Sequence, residues 1–190
     1  MVKTVFSIGL STGENLVIKK NRLEGTGGCG KGKRVAVVSG IHGDELEGQY
    51  VCYEIVRRIK ERPGLLDGTV DIYPALNPIG ITVASRKIPK LDMDMNRMFP
   101  GDEKGAVFER VAAAIIQDLA GADLCIDVHA SNRFVKEIPQ VRLCEEFSEQ
   151  LISYARHMNV DMVWTNATET VHEATLAHSM NCIGVPTLVV

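Results

Sequence analysis

A histidine and a glutamate follow an apolar segment early in the chain, in the stretch SGIHGDE of residues 39–45. His42 and Glu45 offer a nitrogen and an oxygen ligand, and their spacing lets both side chains point into one crevice, since Gly43 leaves the backbone free to turn. The same residues also fit an ordinary helix start, in which Asp44 caps the helix and Glu45, in its first turn, favours the helix dipole. This stretch alone leaves both interpretations open.

His129 is the best candidate for a third ligand. It follows the apolar segment 124–128, just as His42 follows the apolar segment 35–38. Ligands gather at the carboxyl ends of strands in α/β sheets, and catalytic zinc sites typically use three protein groups plus water. A single histidine at a strand end is usually structural or exposed to solvent. A second one, added to the His42 and Glu45 pair, makes a metal site and a structural role equally good interpretations.

A polar segment over residues 80–105 holds residues that suit substrate binding. Arginine binds carboxylates through two parallel hydrogen bonds and asparagine adds a directional amide, so Asn96 and Arg97 could hold a substrate carboxylate. Arg86 could stabilise an oxyanion that develops on a carbonyl during hydrolysis. The alternative is a surface loop with ordinary charges. A structureless segment of this length inside a compact domain is usually functional.

Residues 25–31 resemble a phosphate-binding loop, because their sequence GTGGCGK fits the pattern GxxxxGK. The next residue is Gly32 instead of Ser or Thr, and a strand instead of a helix is predicted to follow. A hairpin turn is therefore the better interpretation.

Composition excludes several other functions. The 190 residues are 45% hydrophobic and 24% charged with a net charge of −3, so neither nucleic acid nor an anionic membrane is an expected partner. No apolar run reaches the length of about 20 residues that a transmembrane helix needs. The five cysteines form no CxxC pair, which favours reduced core cysteines in a cytoplasmic protein.

Strands and helices alternate along the chain. Apolar patterns predict strands at 4–10, 15–20, 34–39, 70–76, 124–128, 140–143, 162–165 and 185–190, and helices at 44–62, 106–119, 145–158 and 169–180. This order predicts an α/β protein with helices on both sides of a mixed, mostly parallel sheet, in one domain over residues 1–190 with short N-terminal strands in residues 1–34.

Four motifs in this order resemble the succinylglutamate desuccinylase/aspartoacylase family of the zinc carboxypeptidase-like superfamily. They are HGDE, NP followed by SRK, DMDMNRMFPG and IDVHAS. The resemblance runs from about Val35 to the C-terminus and implies a three-layer α/β/α sandwich. It implies that one Zn²⁺ is bound by His42, Glu45 and His129.

The resemblance also implies roles for four further residues. Arg86 would polarise the scissile carbonyl, and Asn96 and Arg97 would hold the substrate carboxylate. Asp94 would orient the first zinc histidine, as an aspartate does in related carboxypeptidases, and would strengthen that ligand.

The sequence departs from the family pattern at its end. The family's general base is a glutamate shortly after a G-[IV]-P segment, and this chain stops at Val190, where that glutamate would come next. None of Glu47, Asp127 and Glu173 stands at the position of the base. The expectation is a piece of a longer enzyme, with little or no activity of its own because a lost general base costs about 10²–10⁴-fold in rate.

The expected function is zinc-dependent hydrolysis of the amide bond of an N-acyl amino acid or a similar small carboxylate. Two alternatives stay open: a zinc carboxypeptidase acting on a peptide C-terminus, and a non-catalytic metal-binding domain. The expected partner is the small-molecule substrate, and a homo-oligomer is possible.

Overall fold

The computed structural model describes residues 1–11, 13–25, 32–131, 134–166 and 174–190. Most of the glycine-rich turn at 25–33, the start of the helix predicted at 169–180 and Glu173 lie outside these residues.

The described residues form one sheet of eight strands in the order β1-β2-β4-β3-β5-β8-β6-β7. The strands are β1 (Val2–Gly9), β2 (Asn15–Glu24), β3 (Arg34–Ser39), β4 (Thr69–Tyr73), β5 (Leu124–Val128), β6 (Gln140–Cys144), β7 (Met162–Asn166) and β8 (Thr187–Val189). The pairs β3–β4, β3–β5, β5–β8 and β6–β7 are parallel, and the remaining three pairs are antiparallel. The mixed, mostly parallel sheet is therefore confirmed.

Helices cover both faces of this sheet. They are α1 (Glu47–Glu61), α2 (Pro78–Val83), α3 (Val107–Leu119), α4 (Ser148–Ala155) and α5 (Leu176–Cys182). Val37, Ile126 and Leu188 are aligned across β3, β5 and β8, and this row packs against the layer of α1 and α4. Ala36, Val38 and Cys125 point the other way, into a core shared with α3 and α5. Alternation along the strands thus produces the predicted α/β/α sandwich.

Two predictions were wrong in detail. α1 begins at Glu47 instead of residue 44, and its N-cap, Leu46, makes no side-chain capping bond. Glu45 therefore precedes the helix, and Asp44 does not cap it. Residues 80–105 are not structureless either. Asn77 caps the short helix α2 by accepting a hydrogen bond from the Gly80 N–H, and Met95–Arg97 form a 3₁₀ turn.

The described residues include no helix with the length and apolarity that crossing a membrane requires. Cys52 and Cys125 are buried, as predicted for core cysteines, but Cys144 is only partly buried and Cys182 is exposed, so the prediction was wrong for Cys182. Cys29 lies outside the described residues.

A buried ionic cluster ties the antiparallel part of the sheet to its parallel part. Asp71 of β4 is fully buried and accepts hydrogen bonds from Lys20 and Arg22 of β2 and from Arg34 of β3. Asp118 of α3 accepts from Lys20 and lies 2.6 Å from its Nζ atom. Burial alone would raise the pKa of Asp71, but the arginine hydrogen bonds outweigh it and lower that pKa to about 2.

We expect Asp71→Asn to lower the free energy of unfolding by about 3 kcal/mol at neutral pH, because three cations would lose a buried carboxylate. Since the folded pKa lies below the ordinary value, the stabilisation is complete above that value, about 3.9, and is lost as the pH falls through about 2. Urea unfolding at several pH values should therefore show the difference between the two proteins shrinking toward pH 2. Glu61→Gln, in an exposed pair with Arg57, is the control and should change little. Equal effects of the two substitutions would contradict a special role for the cluster.

Candidate metal centre

The Glu45 carboxylate joins three separate segments at the carboxyl ends of β3 and β5. Its Oε1 atom lies 2.7 Å from His42 Nδ1 and accepts a 2.8 Å hydrogen bond from Arg86. Its Oε2 atom lies 2.9 Å from His129 Nδ1 and accepts a 3.0 Å hydrogen bond from the Ala130 N–H. The structure thus brings His42, Glu45, Arg86 and His129 together.

Three of these residues could hold a metal ion. Ligand atoms of His42, Glu45 and His129 all lie within 4.8 Å of one another, and His42 and Glu45 are buried. Two imidazoles and a carboxylate are a donor set that zinc takes in catalytic sites. His42 Nδ1 is buried without a hydrogen-bond partner among the described residues, although it faces Glu45, as a ligand atom held ready for a cation would be. The residues present therefore fit a Zn²⁺ ion.

Each histidine has a second carboxylate beside its other ring nitrogen. Asp94 Oδ1 lies 3.2 Å from His42 Nε2, and Asp127 Oδ2 lies 3.1 Å from His129 Nε2. Ionised, Glu45 and these two aspartates bring three negative charges, against the one positive charge of Arg86. The excess of two negative charges would be neutralised by one divalent cation.

The pKa values reflect this negative surrounding. Burial opposes the charged form of His42, but its contacts with Asp94 and Glu45 outweigh burial and raise its pKa. Burial also opposes the charged form of His129, and the charge of Asp127 leads the interactions that raise its pKa to about 10. The pKa of Glu45 is lowered, because its contacts with both histidines outweigh burial. Carboxylates that stabilise a positive imidazolium stabilise a metal cation at the same place.

Close backbone packing sets the position of Arg86. The Gly43 N–H donates to the carbonyl of Ser85, the residue before Arg86. A Cβ atom on Gly43 would lie 2.1 Å from the carbonyl carbon of Gly80, so only glycine allows this approach. The loop with His42 and the loop with Arg86 are therefore held in contact.

Asn96 and Arg97 lie in the 3₁₀ turn that Asp94 caps. Asp94 Oδ1 accepts from the Asn96 N–H, and Asn96 Oδ1 accepts a 3.0 Å hydrogen bond from the Leu176 N–H at the start of α5. With its oxygen engaged, Asn96 offers its amide N–H groups to a ligand. Arg97 is exposed, and one of its N–H groups donates to the Asn96 carbonyl.

A cavity of about 850 Å³ contains the whole arrangement. His42, Glu45, Arg86, Asn96, Arg97 and His129 all line it. On its far side lie Gln140 and Arg142 of β6, and the Arg142 guanidinium lies over the Trp164 ring at 5.4 Å from the ring centre. The cavity is large enough for a small-molecule ligand.

The residue beside His129 Nε2 and the residues that support the Arg86 loop were not identified from the sequence. Asp127 was considered only as a general base, although an acidic residue inside an otherwise apolar strand, two residues before a candidate ligand, signals a role at that ligand. Asn77 and Gly80 support the Arg86 loop. Asn77-Pro78 is a typical helix start, but Gly80 carries no such signal.

Most of the chain matches a known protein family. A family model described as the succinylglutamate desuccinylase/aspartoacylase catalytic domain matches residues 31–189. The chain belongs to this family.

One curated relative is an N-alpha-acetyl-L-2,4-diaminobutyric acid deacetylase from Halomonas elongata. It is 32% identical over 111 residues, which cover 58% of this chain and 32% of the relative. The match thus spans about a third of the length of that relative.

Solved structures share the fold at lower identity. A succinylglutamate desuccinylase/aspartoacylase from Rhodobacter sphaeroides superposes with a TM-score of 0.81 at 22% identity, covering 99% of this chain and 56% of the other. A metallo-carboxypeptidase from Burkholderia cenocepacia gives a TM-score of 0.68 at 13% identity, covering 100% of this chain and 55% of the other. The chain therefore spans little more than half the length of these structures.

We expect Gly43→Ala to push apart the loops that carry His42 and Arg86. The added methyl group meets backbone, which cannot rotate away, so the free energy of unfolding should fall by about 1–3 kcal/mol and zinc binding should weaken. Urea unfolding and zinc titration would measure both effects. Gly64→Ala is the matched control, because its Cβ has no neighbour within 4 Å. A Gly43→Ala protein as stable as the control would contradict the packing argument.

Proposed function

We propose that this chain carries the zinc centre of a hydrolase that cleaves the amide bond of an N-acyl amino acid or a similar small carboxylate. The observation that carries the proposal is the convergence of His42, Glu45 and His129 beside Arg86 in one cavity. Membership of the family and the deacetylase named among its relatives support the same reaction class.

His42 and His129 would bind the metal through their Nδ1 atoms, and Glu45 through its carboxylate. A zinc ion held there would supply Lewis acidity toward the carbonyl and would lower the pKa of a water molecule to about 7. His42 and His129 must be neutral to bind it, with the single N–H proton of each ring on Nε2, beside Asp94 and Asp127.

Arg86 would act on the scissile carbonyl. Its side chain is about half exposed toward the cavity while one N–H group is anchored on Glu45. This anchoring holds the guanidinium next to the proposed metal ligands, where its remaining N–H groups can stabilise negative charge on the carbonyl oxygen.

Asn96 and Arg97 would bind the substrate carboxylate. Both line the cavity, and hydrogen bonds to neighbouring backbone hold both side chains in place before a ligand arrives. Such preorganisation reduces the entropy lost on binding. A carboxylate at this position and a carbonyl at Arg86 describe an N-acyl amino acid, and the C-terminal residue of a peptide presents the same two groups.

We expect the purified protein to contain about one zinc ion per chain, as measured by elemental analysis, and His129→Ala to lose it. The neighbouring Ser131→Ala is the control, because Ser131 lines the cavity outside the proposed ligand set. Zinc retained in full by His129→Ala would contradict the ligand assignment.

We expect Arg86→Ala to lower kcat by about 10²–10³-fold, because the substitution removes a donor to the developing oxyanion, while zinc content stays unchanged. Lys87→Ala is the control, since Lys87 pairs with Asp92 instead of Glu45. The assay should compare N-acetyl-L-2,4-diaminobutyrate, N-acetylaspartate and N-succinylglutamate with short peptides. Faster release of C-terminal residues from peptides would identify a carboxypeptidase. Zinc binding without any hydrolysis would fit either a metal-binding domain or the expected absence of the general-base glutamate.

A further inference from the structure

Asp127 is an acidic residue in an apolar part of the sheet. Its partners on the two neighbouring strands are Val38 of β3 and Val189 of β8, and its exposed fraction is 1%. Neither carboxylate oxygen has a hydrogen-bond partner among the described residues. A buried carboxylate without hydrogen-bond partners is costly, so a group near Asp127 is expected to offset that cost.

The titratable group beside the Asp127 carboxylate is the His129 ring at the candidate metal centre. Asp127 Oδ2 lies 3.1 Å from His129 Nε2, within ion-pair distance, although the angle falls outside hydrogen-bond limits. The buried ionic cluster around Asp71 does not serve this purpose, because Lys20, Arg22 and Arg34 contact Asp71 and Asp118 instead.

The contact repeats the arrangement around the other histidine. His42 faces Glu45 with Nδ1 and Asp94 with Nε2, and His129 faces Glu45 with Nδ1 and Asp127 with Nε2. The two aspartates differ in one respect. Asp94 shares its oxygen with the Asn96 N–H, whereas Asp127 is more deeply buried and has no such second contact among the described residues.

We propose that Asp127 is the positioning residue of His129, which keeps the ring proton on Nε2 and leaves Nδ1 as the metal-binding atom. This inference rests on the proposed function, in which His129 is a zinc ligand. A carboxylate beside the far nitrogen of a histidine fixes its tautomer and ring orientation and strengthens its nitrogen as a ligand. Asp127 does not touch the substrate in this scheme and acts through His129.

A purely structural role of Asp127 predicts a different effect on zinc affinity. If Asp127 only filled space between Val38 and Val189, substituting it would change at most the stability of the metal-free protein and would leave the zinc affinity unchanged. Stability of the metal-free protein and affinity for zinc should therefore respond differently, and comparing them separates the two roles.

The experiment measures zinc affinity by chelator competition for the wild type, Asp127→Asn and Asp127→Ala, with urea unfolding of each metal-free protein. We expect Asp127→Asn to bind zinc about 10–100-fold more weakly, whatever the change in metal-free stability. Asp127→Ala should bind more weakly still, because asparagine can still accept a hydrogen bond from Nε2–H. Asp94→Asn, acting through His42, should show a comparable loss, and Glu61→Gln should show none.

A second measurement does not depend on the variants folding. Nitrogen-15 NMR of the histidine rings in the zinc-bound wild type should show His129 protonated at Nε2. Protonation at Nδ1 would overturn the proposal, as would unchanged zinc affinity in Asp127→Asn, or a loss of metal-free stability without a loss of affinity. Failure of the wild type to bind zinc would instead overturn the proposed function and the role of Asp127 with it.

Discussion

The Glu45 carboxylate is the interaction on which the geometry of the centre depends. It contacts two histidines, an arginine and a backbone N–H, and these come from three segments far apart in sequence. Both oxygens are used twice, so rotating or removing this side chain would break four contacts at once, and backbone contacts such as the Gly43–Ser85 hydrogen bond would be left to hold the segments together. The parallel pairing of β3 and β5 brings the segments to the same edge of the sheet, and Glu45 then sets their distances within a few ångströms.

Two clusters of acidic residues lie near β3, and they differ in the cations that accompany them. Near the start of β3, Asp71 is surrounded by Lys20, Arg22 and Arg34, so its charge is balanced by the chain itself. Beyond the end of β3, Glu45, Asp94 and Asp127 have Arg86 and two histidines, whose charge depends on protonation. A fully balanced cluster stabilises the fold, whereas an acidic cluster with only one permanent cation attracts a cation from solution. The two clusters therefore differ in their cations, because buried carboxylates lie near both ends of β3.

The sequence predicted the sandwich well because its signals are local. The mostly apolar runs at 34–39 and 124–128, of which the second is interrupted by Asp127, match β3 and β5, since a strand buried on both faces needs no polar alternation. The start of α1 was misplaced, because residues 40–45 form a turn whose hydrogen bond goes to Ser85, a partner that no local pattern reveals. For residues 80–105, the Asn77 cap of α2 is a local signal that the sequence interpretation missed, whereas the contact of Gly80 with Gly43 is one that no local pattern reveals. The convergence of the candidate residues could be expected from strand ends, and the position of Asp127 signals a role at His129. The ring nitrogen that Asp127 faces could not be expected, because it depends on a buried ring orientation.

Strand geometry explains why an acidic residue two positions before His129 can reach it. Alternate residues of a strand point to the same face, and the chain stays extended through this point, because the His129 N–H donates to the Val190 carbonyl beside β5. A carboxylate at residue 126 or 128 would point toward the layer of α1 and α4, where Ile126 and Val128 contribute to the core instead. Only residue 127 combines the correct face with a distance short enough to contact the far ring nitrogen. The two-residue spacing therefore follows from the pleat of β5, and an acidic side chain can stand in this apolar row only if the centre that it serves balances its charge.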